Sequence, residues 1–321
     1  MISRRLLRIK ALMIIYAFNR KDGDDLEAAE KELMHSINKT YDLYHLLLLL
    51  VLEIADIAAE KIEMSRNKRI PTVEDLNPNT RLIDNRVIKF LDTNQSLNSY
   101  IKKSKLSFRE NPELPRKLYS QMLEWDEYKS YMLKEESTFN DDRRFVSRMI
   151  TELIVASPDL NLLLEEMSIY WNDDLEFVCL MLEKTIRGFK ENSGSDFSLM
   201  PLFKNRDDEN FARQLLLKTI LNGARYSELI DSKTTNWEID RVALMDTLVM
   251  QLAISEIIEF EEIPVKVTLN EYIEIAKYYC TARSGTFVNG ILDEIVKEMR
   301  SKKLFEKKGR GLVGEPGYEE R

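Results

Sequence analysis

The sequence predicts an all-α fold. Only 10 glycines and 8 prolines occur among 321 residues, roughly half of the average usage of these turn-forming residues. Hydrophobic residues make up 44% of the chain and charged residues 32%, and the apolar positions recur at helical spacing. A chain that turns this rarely is typical of helical bundles, so strand-rich folds and glycine-rich phosphate-binding loops are poor candidates.

Capping signals and periodicity place the helices in order. The first is predicted from about Ser3, as N-cap, to Phe18, followed by helices near 26–37 and 41–62. After a loop between two prolines, periodicity resumes near 81–91 and 113–132. A capping box at Thr268–Glu271 predicts the start of a helix to about Tyr279, and a last helix follows near 284–300. The glycine-rich residues 305–321 are predicted to be a disordered tail.

The central part of the chain contains an internal repeat. Asp142-x-x-Phe145 recurs 66 positions later as Asp208-x-x-Phe211, and Trp171-x-x-Asp174 recurs at the same offset as Trp237-x-x-Asp240. Apolar faces of helices align by chance, but two aromatic and acidic pairs in one register are harder to explain that way. The pattern favours a duplicated helical unit over coincidental periodicity.

The sequence offers little support for catalysis, a metal site or a membrane span. The two cysteines, Cys179 and Cys280, lie too far apart in sequence for a disulfide framework or a thiolate zinc motif, and the two histidines match no common metal spacing. No nucleotide-binding, hydrolase or metalloprotease motif occurs. The longest apolar run, Leu46–Leu52, is far shorter than the ~20 residues that a bilayer requires. We predict a cytoplasmic protein that is not an enzyme and needs no cofactor.

Charge is distributed unevenly along the chain. The formal net charge is −8, yet the first 21 residues contain bases and no acid, and residues 297–310 are also basic. At ~100° per residue, Arg4, Arg5 and Arg8 fall on one arc of the first helix with Tyr16. Guanidinium groups bind phosphate in a bidentate manner, and a tyrosine ring can stack on an unpaired base. This arc predicts an RNA-binding surface; the alternative is a solvated basic face at the edge of a bundle.

Three C-terminal segments resemble the core of the NusB transcription antitermination factors. They are Asn236–Glu256, Ile263–Lys277 and Ser284–Asp293, and the last contains the specific run Phe287-Val-Asn-Gly-Ile-Leu-Asp293. The arginine-rich first helix is also similar to that of the family. The resemblance covers residues 1–20 and about 208–300.

The resemblance implies two small packed helical bundles of NusB type and no catalytic activity. It divides the chain into N-terminal RNA-binding helices (1–62), an inserted helical module (63–205) and a C-terminal NusB-like bundle (206–304). It also implies binding of boxA-type single-stranded RNA together with the ribosomal protein NusE, within an antitermination complex with RNA polymerase. Because the insertion is acidic, we expect it to bind a protein rather than RNA.

Specific residues can be matched to the family pattern. By resemblance, the RNA-binding set is Arg4, Arg5, Arg8, Tyr16 and Phe287, and the NusE-facing acids are Asp240 and Asp246. Two positions depart from the pattern. Arg283 stands where many relatives carry an acid, which would enlarge the positive RNA surface, and Gln251 replaces a frequent arginine.

Two other functions remain open. The acidic excess and the long insertion favour a helical protein-interaction scaffold that keeps the fold without binding RNA. The basic amphipathic first helix could instead lie on a membrane surface. A fusion to an rRNA methyltransferase is disfavoured, because no glycine-rich cofactor loop is present.

Overall fold

The computed structural model describes residues 2–21, 25–194, 197–234 and 243–315. Within these ranges the chain forms fifteen α-helices and no β-strand, so the predicted all-α class is confirmed. The helices are α1 (Arg4–Arg20), α2 (Leu26–Arg66), α3 (Val73–Leu76), α4 (Arg86–Asp92), α5 (Gln95–Ser104), α6 (Glu113–Glu124), α7 (Asp126–Met132), α8 (Phe139–Arg148), α9 (Pro158–Met167), α10 (Leu175–Gly188), α11 (Arg206–Leu221), α12 (Gly223–Thr234), α13 (Leu244–Glu259), α14 (Val265–Tyr279) and α15 (Ser284–Ser301). A π-helical turn, Met149–Ile154, extends α8, and a 3₁₀ turn spans Gly309–Leu312.

Helix starts follow the local signals in one case and not in another. Ser3 caps α1 as predicted, since its side chain accepts a hydrogen bond from the Leu6 amide. In contrast, α14 begins at Val265, directly after Pro264, and not at the predicted capping box. Thr268 lies inside the helix, fully buried, and its hydroxyl donates to a carboxylate of α13. The proline therefore determines where this helix starts.

Helix α2 is one continuous helix of 41 residues where two separate helices were predicted. No glycine or proline occurs between its ends, so nothing in the backbone interrupts it. The long apolar run Leu46–Leu52 lies within α2 and is almost entirely buried. Among the described residues, no helix is long and apolar enough to cross a bilayer.

The chain divides into two compact units. Unit 1 is Asn38–Leu202 with Met1–Ile2, and unit 2 is Ser3–Ile37 with Phe203–Arg321. One division falls within α2, between Ile37 and Asn38, and the other lies between Leu202 and Phe203. The predicted division at residues 63 and 205 into RNA-binding helices, insertion and C-terminal bundle stays a prediction.

Unit 2 is built around α13. Every residue from Leu248 to Ile257 is buried, including the charged Glu256. Helix α1 packs on α11 and α13, while α12, α14 and α15 also contact α13. The first helix is thus held against the C-terminal helices, more than 200 residues away in sequence.

The start of the predicted tail is packed onto unit 2. Lys307 is buried, and its ammonium donates to the carbonyl oxygens of Ile257 and Phe260, at 2.8 and 2.9 Å, at the carboxyl end of α13. Arg300 donates to both carboxylate oxygens of Glu315. Cations are favourable at this end of a helix. Residues 305–315 therefore differ from the predicted disordered tail, while 316–321 lie outside the described residues.

Unit 1 is organised around α8, which packs against α4 and α10. Asp142, in the first turn of α8, is buried and accepts a hydrogen bond from Arg86 Nε at 2.7 Å. Phe145, one turn later, is buried and stacks on Tyr131, with ring centroids 4.2 Å apart. These contacts orient α8 in the unit.

The same arrangement recurs in unit 2 at the repeat positions. Asp208, in the first turn of α11, accepts from Arg4 Nε at 2.9 Å, and Phe211 is buried one turn later. Arg4 and Arg86 are each the first residue of a helix. Trp237 and Asp240 lie outside the described residues, so that half of the repeat stays a prediction.

A buried histidine in unit 1 gives the protein a predicted sensitivity to acid. His45 is 2% exposed, stacks on Tyr100 with centroids 3.8 Å apart, and contacts the Tyr41 carbonyl oxygen through Nδ1. Burial lowers the pKa of His45 from 6.5 to about 4. Between these values the unfolded chain binds a proton that the folded chain does not, so the free energy of unfolding falls as the pH is lowered, by at most about 3 kcal/mol. Urea unfolding at pH 7 and pH 4.5 measures this loss.

Comparison with variants isolates the histidine from the carboxylates that also titrate. His45→Gln is expected to be less stable at pH 7 but to lose less stability on acidification than the unaltered protein. His35→Gln, at the exposed histidine of α2, serves as the control. An equal acid loss in all three proteins would contradict the assignment.

Candidate nucleic-acid interface

The first two residues of α1 present partly exposed guanidinium groups. Arg4 donates through Nε to Asp208, and Arg5 donates through Nε and Nη2 to both carboxylate oxygens of Glu271, at 2.9 Å each. The arginine side chains are 41% and 44% exposed. Hydrogen bonding to Arg5 lowers the pKa of Glu271, which keeps this carboxylate ionised. Both arginines are therefore oriented and partly neutralised, with N–H groups left to bind a further anion.

Arg8 occupies a different environment from Arg4 and Arg5. Its guanidinium donates to both carboxylate oxygens of Glu256, through Nε at 2.7 Å and Nη2 at 2.8 Å, and its side chain is only 4% exposed. The rings of Phe211 and Tyr272 lie within 6 Å of it. Arg8 shares the predicted arc with Arg4, but α11, α13 and α14 cover that part of the arc. In this structure Arg8 cannot reach a phosphate in solvent.

Glu256 is the centre of a buried polar network. Besides Arg8, it accepts hydrogen bonds from the hydroxyls of Thr268, at 2.8 Å, and Tyr272, at 3.1 Å. Complete burial raises the pKa of Tyr272 well above 10, so its hydroxyl remains a donor. The network links α1, α13 and α14 and thereby fixes the position of α1, the helix that bears the arginines.

The aromatic residues predicted for RNA stacking lie in two different settings. Tyr16, three turns after Arg4, is half-buried, and the guanidinium of Arg20 lies over its ring at 5.5 Å. Phe287, in α15, is only 5% exposed. Tyr16 can offer part of a ring to a base, whereas Phe287 is positioned to support the surface from below.

Arg283 immediately precedes α15 and is exposed. Its guanidinium makes no hydrogen bond or ion pair with any residue within the described ranges. Gly285, two residues later, allows α15 to approach α14, because a Cβ there would lie 2.9 Å from Lys277 Cγ. The close packing of the helix start thus places a free guanidinium at the end of α14.

Of the two predicted partner-binding acids, only Asp246 lies within the described residues, and Asp240 lies outside them. Asp246, in the first turn of α13, is 6% exposed, and its Oδ1 has no hydrogen-bond partner among the described residues. Burial and a hydrogen bond to Asp246 raise the pKa of the Cys280 thiol. Asp246 is therefore part of the helix packing at this end of α13.

Sequence reasoning missed the acids that hold the arginines. Asp208, Glu256 and Glu271 lie more than 200 residues from their partners. One signal was present: Glu256 is a charged residue inside an otherwise apolar stretch, and buried charges are almost always paired. Among the described residues, no group of three or more histidine, cysteine, aspartate or glutamate side chains is placed to hold a metal ion.

Comparison with known proteins finds matches to the NusB family. The NusB family model matches residues 186–297, which include α11–α14 and most of α15. The transcription antitermination protein NusB of Salinibacter ruber is 40% identical over 122 residues, 38% of this chain and 76% of that protein. That of Chloroherpeton thalassium is 41% identical over 113 residues, 35% of this chain and 54% of the relative. That of Thermodesulfovibrio yellowstonii is 34% identical over 129 residues, 40% and 81% of the two chains. No solved structure is a significant match.

Proposed function

The chain belongs to the NusB family, and from this premise we propose that it is an RNA-binding transcription antitermination factor. In this proposal it binds boxA-type single-stranded RNA together with the ribosomal protein NusE and supports transcription of ribosomal RNA by RNA polymerase. It acts by binding alone, with no enzymatic step. The relatives that match the chain are themselves transcription antitermination proteins.

The observation that carries the proposal is the pair of partly exposed guanidinium groups at the start of α1. Arg4 and Arg5 are held by Asp208 and Glu271, so less side-chain entropy is lost when they bind a phosphate. Arg283 adds a third exposed guanidinium in the same unit. Tyr16 supplies the half-buried ring for a base. Arg8 and Phe287, being buried, support this surface instead of contacting the RNA.

The neutralising acids also predict how strong the binding is. An arginine already paired with a carboxylate attracts a phosphate less than an unpaired one does, because the acid repels the same anion. We therefore expect weak binding of RNA by the protein alone. NusE, docking near the α13 end that carries Asp246 and follows Asp240, would supply the missing contacts.

The same pairing supports a second candidate. Arg4, Arg5 and Arg8 are all engaged with acids of unit 2, as expected for a protein-interaction scaffold that retains the fold without RNA binding. The two functions differ in one measurable property, which is affinity for RNA at low salt.

Fluorescence anisotropy with a short boxA-type RNA tests the proposal. We expect weak, salt-dependent binding that tightens when NusE is added, since phosphate contacts release counterions. Binding of NusE without any binding of RNA, even at low salt, would overturn the proposal in favour of the scaffold. The control is an RNA of equal length and scrambled sequence, which NusE should not help to bind.

A further inference from the structure

Four arginines lie together on one face of unit 1. Arg143, Arg144 and Arg148 are on α8, and Arg187 is near the end of α10. With Asn140 and Ser147 they line a cavity of about 260 Å³. Along α8, Arg143, Arg144 and Ser147 follow Asn140 by three, four and seven positions, and Arg148 follows Arg144 by four, so their side chains lie on one side of the helix. Among the described residues, none of those that line the cavity is acidic or aromatic.

Two of the four guanidinium groups are oriented by neighbouring groups. Arg143 donates to Asn140 Oδ1 at 3.0 Å and lies beside the carbonyl oxygens of Arg187 and Phe189, at the end of α10. Arg148 donates to both carboxylate oxygens of Glu152, at 2.7 and 2.8 Å, and also forms an ion pair with Glu127. These contacts fix the cavity wall, and the two carboxylates offset the charge of Arg148.

The other two guanidinium groups are available. The Arg144 side chain is exposed, and its guanidinium makes no hydrogen bond or ion pair with the part of the chain that the structure describes. Hydrogen bonding to Arg148 and the nearby charge of Arg144 lower the pKa of Glu152. Arg187 is 72% exposed, and its ion pair with Glu183 is 3.6 Å long. An exposed pair of this length contributes little. Four guanidinium groups beside three carboxylates, Glu127, Glu152 and Glu183, leave the cavity with a small net positive charge within the described residues.

The internal repeat indicates that the fold does not require these arginines. Sixty-six positions after Arg143, Arg144 and Arg148, helix α11 carries Glu209, Asn210 and Gln214. The buried Asp142 and Phe145 of α8 are matched in α11, as described above, but the basic face is not. This face is therefore a feature of unit 1 alone.

We propose that this arginine cluster binds backbone phosphates of single-stranded RNA, which makes unit 1 a second RNA-contacting unit. Guanidinium groups match phosphate oxygens with paired hydrogen bonds, and the serine and asparagine add neutral donors. The absence of a ring from the lining means that bases are not stacked, so binding is independent of base sequence. The proposal rests on the proposed function, because that function supplies the RNA.

An RNA-binding site in unit 1 differs from the expectation that the acidic insertion binds a protein rather than RNA. Acids outnumber bases in residues 38–202, but exposed charges beyond about 8 Å are largely screened at physiological ionic strength. A phosphate in the cavity therefore interacts mainly with the arginines that line it and with the acids paired to them, and little with the rest of the segment. The net charge of a segment does not predict its binding partner when basic and acidic side chains lie on different faces of it.

The test uses the full chain and two RNAs, a short boxA-type RNA and the same RNA extended by unstructured nucleotides. We expect the unaltered protein to bind the extended RNA more tightly, whatever the sequence of the extension. Arg144→Gln with Arg187→Gln should abolish this gain and reduce the slope of log K against log salt by about 1.4, at ~0.7 per phosphate contact. Binding of the short RNA should not change.

Arg109→Gln with Arg116→Gln is the matched control, because both arginines are exposed in unit 1 and the charge change is the same. If the control variant loses the gain equally, or the cavity variant keeps it, the inference is wrong while binding of the short RNA still supports the proposed function. If only the extended RNA binds and binding depends on Arg144 and Arg187, the proposed α1 surface is wrong and the inference stands. An acidic peptide that binds through these arginines where RNA does not would also overturn the inference.

Discussion

Replacing Arg8 with methionine is expected to lower the free energy of unfolding of unit 2 by about 3–5 kcal/mol, the range for removing one partner of a buried ion pair. The change leaves the carboxylate of Glu256, which is 0% exposed, inside the helix packing without its cation. Thr268 and Tyr272 still donate to it, but neutral donors do not replace a guanidinium. Urea unfolding followed by circular dichroism measures the loss.

Two further variants separate this cause from a general packing defect. Arg5→Gln removes an exposed pair on the same helix and should cost at most about 1 kcal/mol. Adding Glu256→Leu to Arg8→Met should recover part of the loss, because the buried charge is then absent; recovery stays incomplete, since two hydroxyl groups lose their acceptor. A double variant no more stable than Arg8→Met would contradict the ion-pair explanation.

Local signals in the sequence predicted the elements that depend on local structure. The N-cap at Ser3 and the helical conformation of the apolar part of α2 were readable because neighbouring residues determine them. The continuity of α2 and the start of α14 at Val265 were missed. In α2, residues 38–40 between the two predicted helices continue the helix, because nothing in the backbone requires a break.

The candidate surface was predictable only in part. A helical projection gives the angles of Arg4, Arg5 and Arg8 around α1, but not which helices cover them. Arg8 is covered because Glu256, 248 residues later, belongs to the helix that packs there. Family resemblance likewise selected Phe287 without information on its burial. Such contacts depend on the packing of distant segments, which no local pattern reports.

The second large effect concerns RNA affinity. Arg4→Gln with Arg5→Gln is expected to weaken binding of a short boxA-type RNA by about 10- to 100-fold, because two charge-assisted contacts to phosphate are lost. The slope of log K against log salt should fall by about 1.4. Both side chains are more than 40% exposed, so the fold and NusE binding should be retained. Anisotropy titrations at several salt concentrations, with a NusE binding assay beside them, measure both quantities.

Two further variants test this prediction. One removes the same charge elsewhere in unit 2, and the other removes an acid that pairs with one of the arginines. Arg225→Gln with Lys297→Gln removes the same charge from exposed positions of α12 and α15, and should change affinity far less if the α1 surface is the binding site. Glu271→Gln removes the carboxylate that pairs with Arg5 and should tighten RNA binding, because the guanidinium is then free for a phosphate. In a scaffold that does not bind RNA, this substitution would leave RNA affinity unchanged. Opposite effects from the two partners of one ion pair would show that the pairing itself limits RNA binding.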